Sequence, residues 1–155
     1  MADSGSESRR KQIAKLEGHF DVVSSVCWSP DGLHLASASH DRSVLVWDVA
    51  LGECVAVLEG HFDVVSSVCW SPDGACVASA SDDSTIRAWD TVSGECIAVL
   101  EGHTDVVSSI SWSPDGSRLV SASVDGTVRV WRIQGEIGLS RPSTGRIGLR
   151  RPGKT

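Results

Sequence analysis

The sequence predicts an all-β protein, and two observations support this prediction. A block of 42 residues occurs three times, beginning with Gly-His at Gly18, Gly60 and Gly102, and residues 18–59 are identical to residues 60–101 at 29 of 42 positions. Within each block, short runs rich in Val, Ser and Trp alternate with turn residues, and no run has the apolar period of a helix. A fixed period of this length indicates a repeat architecture.

Each block is predicted to hold up to four strands. The strands of the first block are Val23–Trp28, Leu33–Ser39, Ser43–Val49 and Cys54–Leu58. Residues 29–32 read Ser-Pro-Asp-Gly, with Pro and Gly at the positions that a type I turn favours. A three-residue turn at 40–42 joins the second strand to the third. The third block ends at Ile133, before a fourth strand.

The repeated motifs resemble those of the WD40 repeat family. Gly-His precedes each first strand, and the third strands end in Trp47-Asp48, Trp89-Asp90 and Trp131-Arg132, so the third copy departs from the Trp-Asp pattern. The resemblance covers residues 12–133. It implies three four-stranded antiparallel WD40 blades, an open part of a β-propeller that is closed by oligomerisation.

The period also divides the chain into segments. The predicted segments are a disordered N-terminal stretch at 1–11, an outer strand at 12–17, repeats at 18–59, 60–101 and 102–133, and a basic, disordered Gly/Arg/Pro-rich tail at 134–155. Residues 12–17 align with residues 54–59, which form a fourth strand. They are therefore a fourth strand with no blade of its own, and the third repeat is a blade with no fourth strand.

Composition narrows the classes of function. Residues 16–132 contain 5 Lys/Arg and 17 Asp/Glu, a net charge of −12, which argues against a nucleic-acid partner. The polar first dozen residues fit no signal peptide, and no apolar run could span a bilayer, so we expect a cytoplasmic protein, with the nucleus as the alternative. The five cysteines form no Cys-x-x-Cys pair and occupy repeat positions, so they are interpreted as inert packing residues. No metal and no cofactor is predicted.

A His, a Ser, an Asp and a Trp recur in every block. These tetrads are His19, Ser37, Asp41 and Trp47; His61, Ser79, Asp83 and Trp89; and His103, Ser121, Asp125 and Trp131. The WD40 resemblance implies that each tetrad is a structural hydrogen-bond chain. A hydrolase would need its Ser, His and Asp once, with an exposed nucleophile, and no Gly-x-Ser-x-Gly turn is present. We therefore predict no catalytic residue and no enzyme.

The resemblance also implies a face for partner proteins or peptides. Its contact positions follow the His and precede the Asp of each repeat, and in this chain they are Val22, Ser24, His40, Val64, Ser66, Asp82, Val106, Ser108 and Val124. Phe20 and Phe62, each next to a tetrad His, are the aromatic candidates for contact, or they cover the blade edge.

The predicted function is a non-catalytic WD40 scaffold for protein–protein interaction or assembly, without nucleic-acid or membrane partners. It is expected to self-associate head to tail, most simply as two chains with six blades, or to join other WD40 blades. One alternative is a fragment or shortened copy of a longer WD40 protein, without independent function. The other is an enzyme, either a Ser/His/Asp hydrolase or a nucleotide-binding protein using Gly148–Thr155, which matches Gly-x-x-x-x-Gly-Lys-Thr.

Overall fold

The computed structural model describes residues 10–133 and confirms the all-β fold class. Residues 10–133 contain eleven strands. They are β1 Val23–Trp28, β2 His34–Ser39, β3 Ser43–Asp48, β4 Glu53–Glu59, β5 Val65–Trp70, β6 Cys76–Ser81, β7 Ile86–Asp90, β8 Cys96–Leu100, β9 Val107–Trp112, β10 Leu119–Ser123 and β11 Val128–Trp131. These bounds lie within one residue of the strands predicted for the first block. The predicted disordered ends lie outside the described residues, except for residues 10 and 11.

The strands form three antiparallel sheets, each with its strands in chain order, which we call blades 1, 2 and 3. Blade 1 contains β1 to β4 and blade 2 contains β5 to β8. Blade 3 contains β9 to β11 and, in the described part of the chain, has no fourth strand. The prediction of four strands in a blade therefore holds for blades 1 and 2, and among residues 10–133 blade 3 has three strands.

Residues 12–17, predicted to be an outer strand, belong to no strand in the structure. An isolated strand is not stable without a neighbour that pairs with its backbone. The blade that these residues would complete precedes blade 1, and residues 10–133 contain no such blade. Pairing therefore requires a blade outside the described residues, and the strand assignment for 12–17 stays a prediction.

Two local features repeat and shape each blade. The hairpin turn between the second and third strands places its third residue in the left-handed region, at φ 72° for Arg42, 74° for Ser84 and 85° for Gly126. This is the geometry of the common three-residue hairpin turn. A register shift at Ser24 and at Ser66 interrupts the pairing of the first and second strands, so that each of these serines lies at a β-bulge.

The hydrophobic core lies between the blades. Ala36, Ala38, Val44, Val46 and Leu58 of blade 1 pack against Val65, Val68, Trp70, Val77 and Trp89 of blade 2. A second cluster joins blade 2, through residues such as Ile86 and Leu100, to Val107, Ile110 and Trp112 of blade 3. Each blade is thus stabilised by burial against its neighbour, which makes the neighbour part of the fold.

The two outermost sheet faces have no neighbouring sheet among residues 10–133. On blade 1, the side chains of Val23, Val26 and Trp28 form what we call the leading face, and they are 50%, 67% and 57% exposed. On blade 3, the side chains of Val120, Val128 and Val130 form the trailing face, and they are 36%, 70% and 64% exposed. The predicted open arrangement of blades is therefore confirmed.

Candidate functional site

The structure brings the four side chains of each predicted tetrad into one hydrogen-bond chain. In blade 1, Trp47 Nε1 lies 2.8 Å from Ser37 Oγ, His19 Nε2 lies 2.7 Å from Ser37 Oγ, and His19 Nδ1 lies 2.8 Å from Asp41 Oδ2. An indole N–H can only donate and a carboxylate can only accept. The Trp47 N–H therefore donates to Ser37 Oγ, the His19 Nδ1–H donates to Asp41, and His19 Nε2 links the two ends at Ser37.

Blades 2 and 3 repeat this geometry closely. The His61–Asp83, His61–Ser79 and Trp89–Ser79 distances are 2.8, 2.7 and 2.8 Å. The corresponding distances in blade 3, which join His103, Asp125, Ser121 and Trp131, are 2.7, 2.6 and 2.8 Å. Three copies of one network, each linking a loop, a turn and two strands, indicate a role that every blade needs.

The glycine before each tetrad His allows the chain to approach the tryptophan. A Cβ atom built on Gly18 would lie 3.1 Å from the Trp47 ring, and one on Gly102 would lie 3.0 Å from the Trp131 ring. Both distances are tighter than ordinary van der Waals contact. The glycine of the Gly-His pair therefore lets the backbone approach the tryptophan ring, and the histidine side chain reaches the buried serine.

Each tetrad has a fifth member that sequence reasoning missed. The hydroxyls of Ser43, Thr85 and Thr127 donate to the tetrad Asp at 2.6 Å in all three blades. The backbone N–H of the residue after each His also donates to the same Asp, at 3.0 to 3.1 Å. Asp-x-Ser/Thr recurs in every repeat, so the sequence contained the signal for this fifth member. Each Asp carboxylate binds groups of both the hairpin turn and the loop after the His, and it therefore links these two loops.

The electrostatics favour an ionised Asp and a neutral His. Burial would raise the pKa of Asp83, but hydrogen bonds from Thr85 and His61 outweigh it and hold this pKa below its ordinary value. The Thr127 hydroxyl is the main cause of the lowered pKa of Asp125. Burial is the main cause of the lowered pKa of His61, and it acts against the Asp83 carboxylate, which raises this pKa.

The tetrads share their connectivity with a hydrolytic Ser-His-Asp triad, yet they leave no room for a substrate. Ser79 is completely buried and Ser121 is 1% exposed. Each serine Oγ already accepts the indole N–H, and its proton goes to the histidine. A nucleophile must reach a carbonyl carbon beside an oxyanion hole, and these hydroxyls reach only the interior of the blade.

The predicted partner positions fall into two groups in the structure. Phe20 and Phe62 are 96% and 79% exposed, while their backbone N–H groups are held by Asp41 and Asp83. Their rings therefore project into solvent from a fixed backbone. Val22, His40 and Val124 are exposed as well, and Val64, Asp82 and Val106 are half-buried.

The predicted contact serines behave differently from the phenylalanines. The Ser24 hydroxyl lies against the carbonyl oxygens of Ala38 in its own blade and Val65 in the next. Ser66 contacts Ala80 and Val107 in the same way. The equivalent Ser108 is exposed and contacts Ala122 at 3.2 Å. The Ser24 and Ser66 hydroxyls therefore join neighbouring blades. Among the described residues, the Ser108 hydroxyl contacts only its own blade.

Two further features were not found from the sequence. The thiols of Cys27 and Cys69, at equivalent positions of neighbouring blades, hydrogen-bond to each other, and this bond lowers the pKa of Cys27 to about 6. In addition, a groove of about 600 Å³ lies between blades 1 and 2, with Trp70 and Asp73 in its lining. The 42-residue spacing of the cysteines was the available signal for the first feature.

The family model for the WD domain, G-beta repeat, matches residues 10–48, 52–90 and 94–132. The chain belongs to the WD40 repeat family. The WD40 matches begin in the outer strand of one blade and end with the third strand of the next. The first match therefore includes residues 12–17, where we predicted an outer strand.

Individual WD40 relatives are similar over about one repeat. The chain is 46% identical over 44 residues to Periodic tryptophan protein 2 of Saccharomyces cerevisiae, which is 28% of this chain and 5% of that protein. It is 57% identical over 37 residues to Protein transport protein SEC13 of Candida albicans, 22% of this chain and 12% of that protein. It is 41% identical over 46 residues to Ribosome assembly protein 4 of Saccharomyces cerevisiae, 30% of this chain and 9% of that protein. The chain thus matches only a small part of the length of each of these relatives.

Between residues 10 and 133, no group of three or more His, Cys, Asp and Glu side chains is placed to hold a metal ion. The described part of the chain also has no helix that is long and apolar enough to cross a membrane. The P-loop match at 148–155 lies outside the described residues.

Ser79→Ala should lower the free energy of unfolding by about 2–3 kcal/mol, because it leaves the buried Trp89 N–H and His61 Nε2 without a partner. Ser121→Ala should cost a similar amount, since its contacts are the same. Urea denaturation followed by tryptophan fluorescence measures both. Ser93→Ala, at an exposed turn, is the control and should change stability by less than about 0.5 kcal/mol. Equal effects for Ser79 and Ser93 would contradict the structural role of the tetrads.

Stability should fall with acidification in two steps. Because the pKa of His61 is lowered in the folded state, the unfolded chain binds more protons as pH falls below 6.5, its ordinary value. A second loss should begin below 3.8, where unfolded Asp41, Asp83 and Asp125 bind protons that the folded chain does not. Urea denaturation at pH values of about 7.5, 5.5 and 3.5 tests both steps. His40→Ala, outside the tetrads, should keep the first step, and a flat profile between the first two pH values would contradict it.

Proposed function

We propose that this protein is a non-catalytic interaction scaffold that associates with itself head to tail to close a β-propeller, most simply from two chains and six blades. The observation that carries the proposal is the state of the leading and trailing faces. Val65, Val68 and Trp70 of blade 2 are 0%, 5% and 8% exposed, whereas the equivalent residues of the leading face are at least half exposed. Equivalent residues of the repeat are therefore buried in blade 2 and exposed in blade 1.

The trailing face gives the same contrast. Val128 is 70% exposed, whereas Val44 and Ile86, at the same position of blades 1 and 2, are fully buried. Inside the chain, this surface of one blade packs on the first strand of the next blade. The trailing face of one copy and the leading face of another are thus the two halves of an interface that the chain already forms internally.

Residues 12–17 supply the missing fourth strand in this arrangement. In blade 1, Val44 of β3 pairs with Leu58 of β4 and Val46 pairs with Ala56. The same register would pair Val128 with Leu16 of a second copy, and Val130 with Ala14. Leu58 and Leu100 are 2% and 4% exposed, so Leu16 would bury its side chain in the position that these leucines occupy.

The surface left for other partners carries Phe20 and Phe62. Aromatic side chains on a fixed backbone are suitable anchors, because little conformational freedom is lost when they are buried. The contact positions that line this face, Val22, His40, Val64, Asp82, Val106 and Val124, would surround them. The expected ligands are proteins or peptides, and the net charge of −12 over residues 16–132 disfavours nucleic acid.

The alternatives each have a distinct signature. A fragment of a longer WD40 protein would need blades from that protein and would not close with itself. A hydrolase would lose activity in Ser37→Ala alone, although the three tetrads have the same geometry. A nucleotide-binding protein would lose saturable binding in Lys154→Ala. The buried serines favour the scaffold over the hydrolase, and the matching end faces favour self-association over the fragment.

Native mass spectrometry and sedimentation velocity at micromolar concentration should show a complex of two 16.4 kDa chains. Val26→Asp and Val128→Asp should each give monomers, because either charge would be buried without a partner in both interfaces of the ring. Mixing the two variants should restore a dimer, since one interface of the mixed pair joins two unaltered faces. Val92→Asp, on an exposed turn, is the control and should stay dimeric. A folded wild-type monomer under these conditions would contradict the proposal and support the fragment.

The phenylalanine face can be tested with a phage-displayed random peptide library selected on the purified protein. Phe20→Ala combined with Phe62→Ala should weaken binding of the selected peptides by at least about tenfold. Leu51→Ala, an exposed apolar residue in the turn between β3 and β4, should leave binding unchanged. Peptides that bind all variants equally would show that this face is not the binding surface.

A further inference from the structure

The contact between blades 1 and 2 contains a line of polar bonds beside its apolar core. The Ser24 hydroxyl contacts the carbonyl oxygen of Val65. The N–H of Val68 donates to Ser25 Oγ at 3.3 Å, and the N–H of Trp70 donates to Cys27 Sγ at 3.4 Å. The side chains of one first strand thus bind the backbone of the next first strand at several successive points.

Blades 2 and 3 are joined by bonds at the equivalent residues, two of them between the same groups and the third between different groups. Ser66 contacts the Val107 carbonyl oxygen, and the N–H of Ile110 donates to Ser67 Oγ at 3.4 Å. The indole N–H of Trp112 donates to the backbone carbonyl of Cys69 at 3.2 Å. The bonds fall at equivalent residues in both interfaces, and they fix how far one blade slides along the next.

Blade 3 carries the third copy of the serines that make these bonds. Among the described residues, no first strand of a following blade lies against them. Ser108, Ser109 and Ser111 are all exposed. The Ser108 hydroxyl keeps its bond to Ala122, but among the described residues no carbonyl takes the place that Val65 and Val107 fill. At the other end of the chain, the backbone of β1 offers the matching groups, at Val23, Val26 and Trp28.

From this pattern, and resting on the self-association proposed above, we infer that Ser108, Ser109 and Ser111 are a binding site for strand β1 of a second copy. Ser108 would bind the Val23 carbonyl of that copy, Ser109 would accept the Val26 N–H, and Ser111 would face Cys27 and Trp28. These bonds set the register of the closing interface, while the apolar faces supply most of its burial.

A second copy fits this site better than an unrelated strand does. Residues 22–28, which comprise β1 and the residue before it, are identical to residues 64–70. Residues 64–70 already occupy the equivalent site on blade 1. In both internal interfaces the bound strand presents a carbonyl, a backbone N–H three residues later and a tryptophan two residues after that. β1 has this order, and its Val23, Val26 and Trp28 side chains are exposed in the single chain.

Disulfide trapping tests the register directly. In the chain, Cys27 and Cys69 are in hydrogen-bond contact across the first interface, and Ser111 is the residue equivalent to Cys69 in blade 3. The variant Cys69→Ser with Ser111→Cys removes the internal competitor and creates the same thiol pair across the closing interface. Oxidation with copper phenanthroline should give covalent dimers on non-reducing gels. Adding Cys27→Ser to this variant is the matched control and should abolish them.

Ser108→Ala gives an independent measurement. It should weaken association about five- to tenfold for each interface formed, because one hydrogen bond is lost from each. The urea stability of the dilute monomer should change little, because the monomer loses only the contact of an exposed hydroxyl with the Ala122 carbonyl. Ser93→Ala should change neither quantity.

The outcomes separate this inference from the proposed function. Dimers that form without a Cys27-dependent crosslink, and that tolerate Ser108→Ala, would overturn the site while self-association stands. Monomers in every sample would overturn both. A Cys27-dependent crosslink together with weakened association in Ser108→Ala would establish β1 as the ligand.

Discussion

The rest of this structure depends on one constraint, which is that each sheet is apolar on both faces and must be covered on both. A sheet that packs on one side only can face water with its other side, but the blades here do not alternate in that way. The hydrophobic clusters lie between blades and not inside any one of them. The structure is therefore stabilised by the interfaces between neighbouring blades. The three described blades form two such interfaces, and one face of blade 1 and one face of blade 3 stay uncovered.

The tetrads solve a different problem, which is to hold each blade in one conformation. A sheet of small and β-branched residues could slip in register, because valine and alanine fit many positions. The chain from indole to serine, histidine and aspartate permits only one arrangement of loop, turn and strands. The Asp carboxylate then binds the backbone next to the histidine, so that the exposed loop with Phe20 or Phe62 is as well fixed as the core. A rigid loop on a rigid blade is what an interaction scaffold requires.

The near-identity of the repeats has a consequence for assembly. Proteins whose sheets end at exposed faces or edges usually protect those ends with charge, proline or a covering element. Here the leading face retains the Val, Val and Trp of a buried interface, and the serines of the trailing end retain their interface positions. The exposed faces of blades 1 and 3 thus carry residues equivalent to those on the two sides of an internal interface. The self-association that we propose uses the same contacts that stabilise the single chain.

The sequence alone determined the period, the strand order and the tetrads, because each of these is a local pattern repeated three times. The hairpin turns at 40–42 and 82–84 also followed from it, since turn length fixes which side chains share a face. It could not show that Ser24 and Ser66 bind the next blade, or that Cys27 touches Cys69. An alternating pattern states which way a side chain points, but only the tertiary structure decides whether a neighbouring sheet lies there. Val44 and Val128 occupy the same repeat position, and one is core while the other is surface because blade 2 follows blade 1 and no blade follows blade 3 within the described chain.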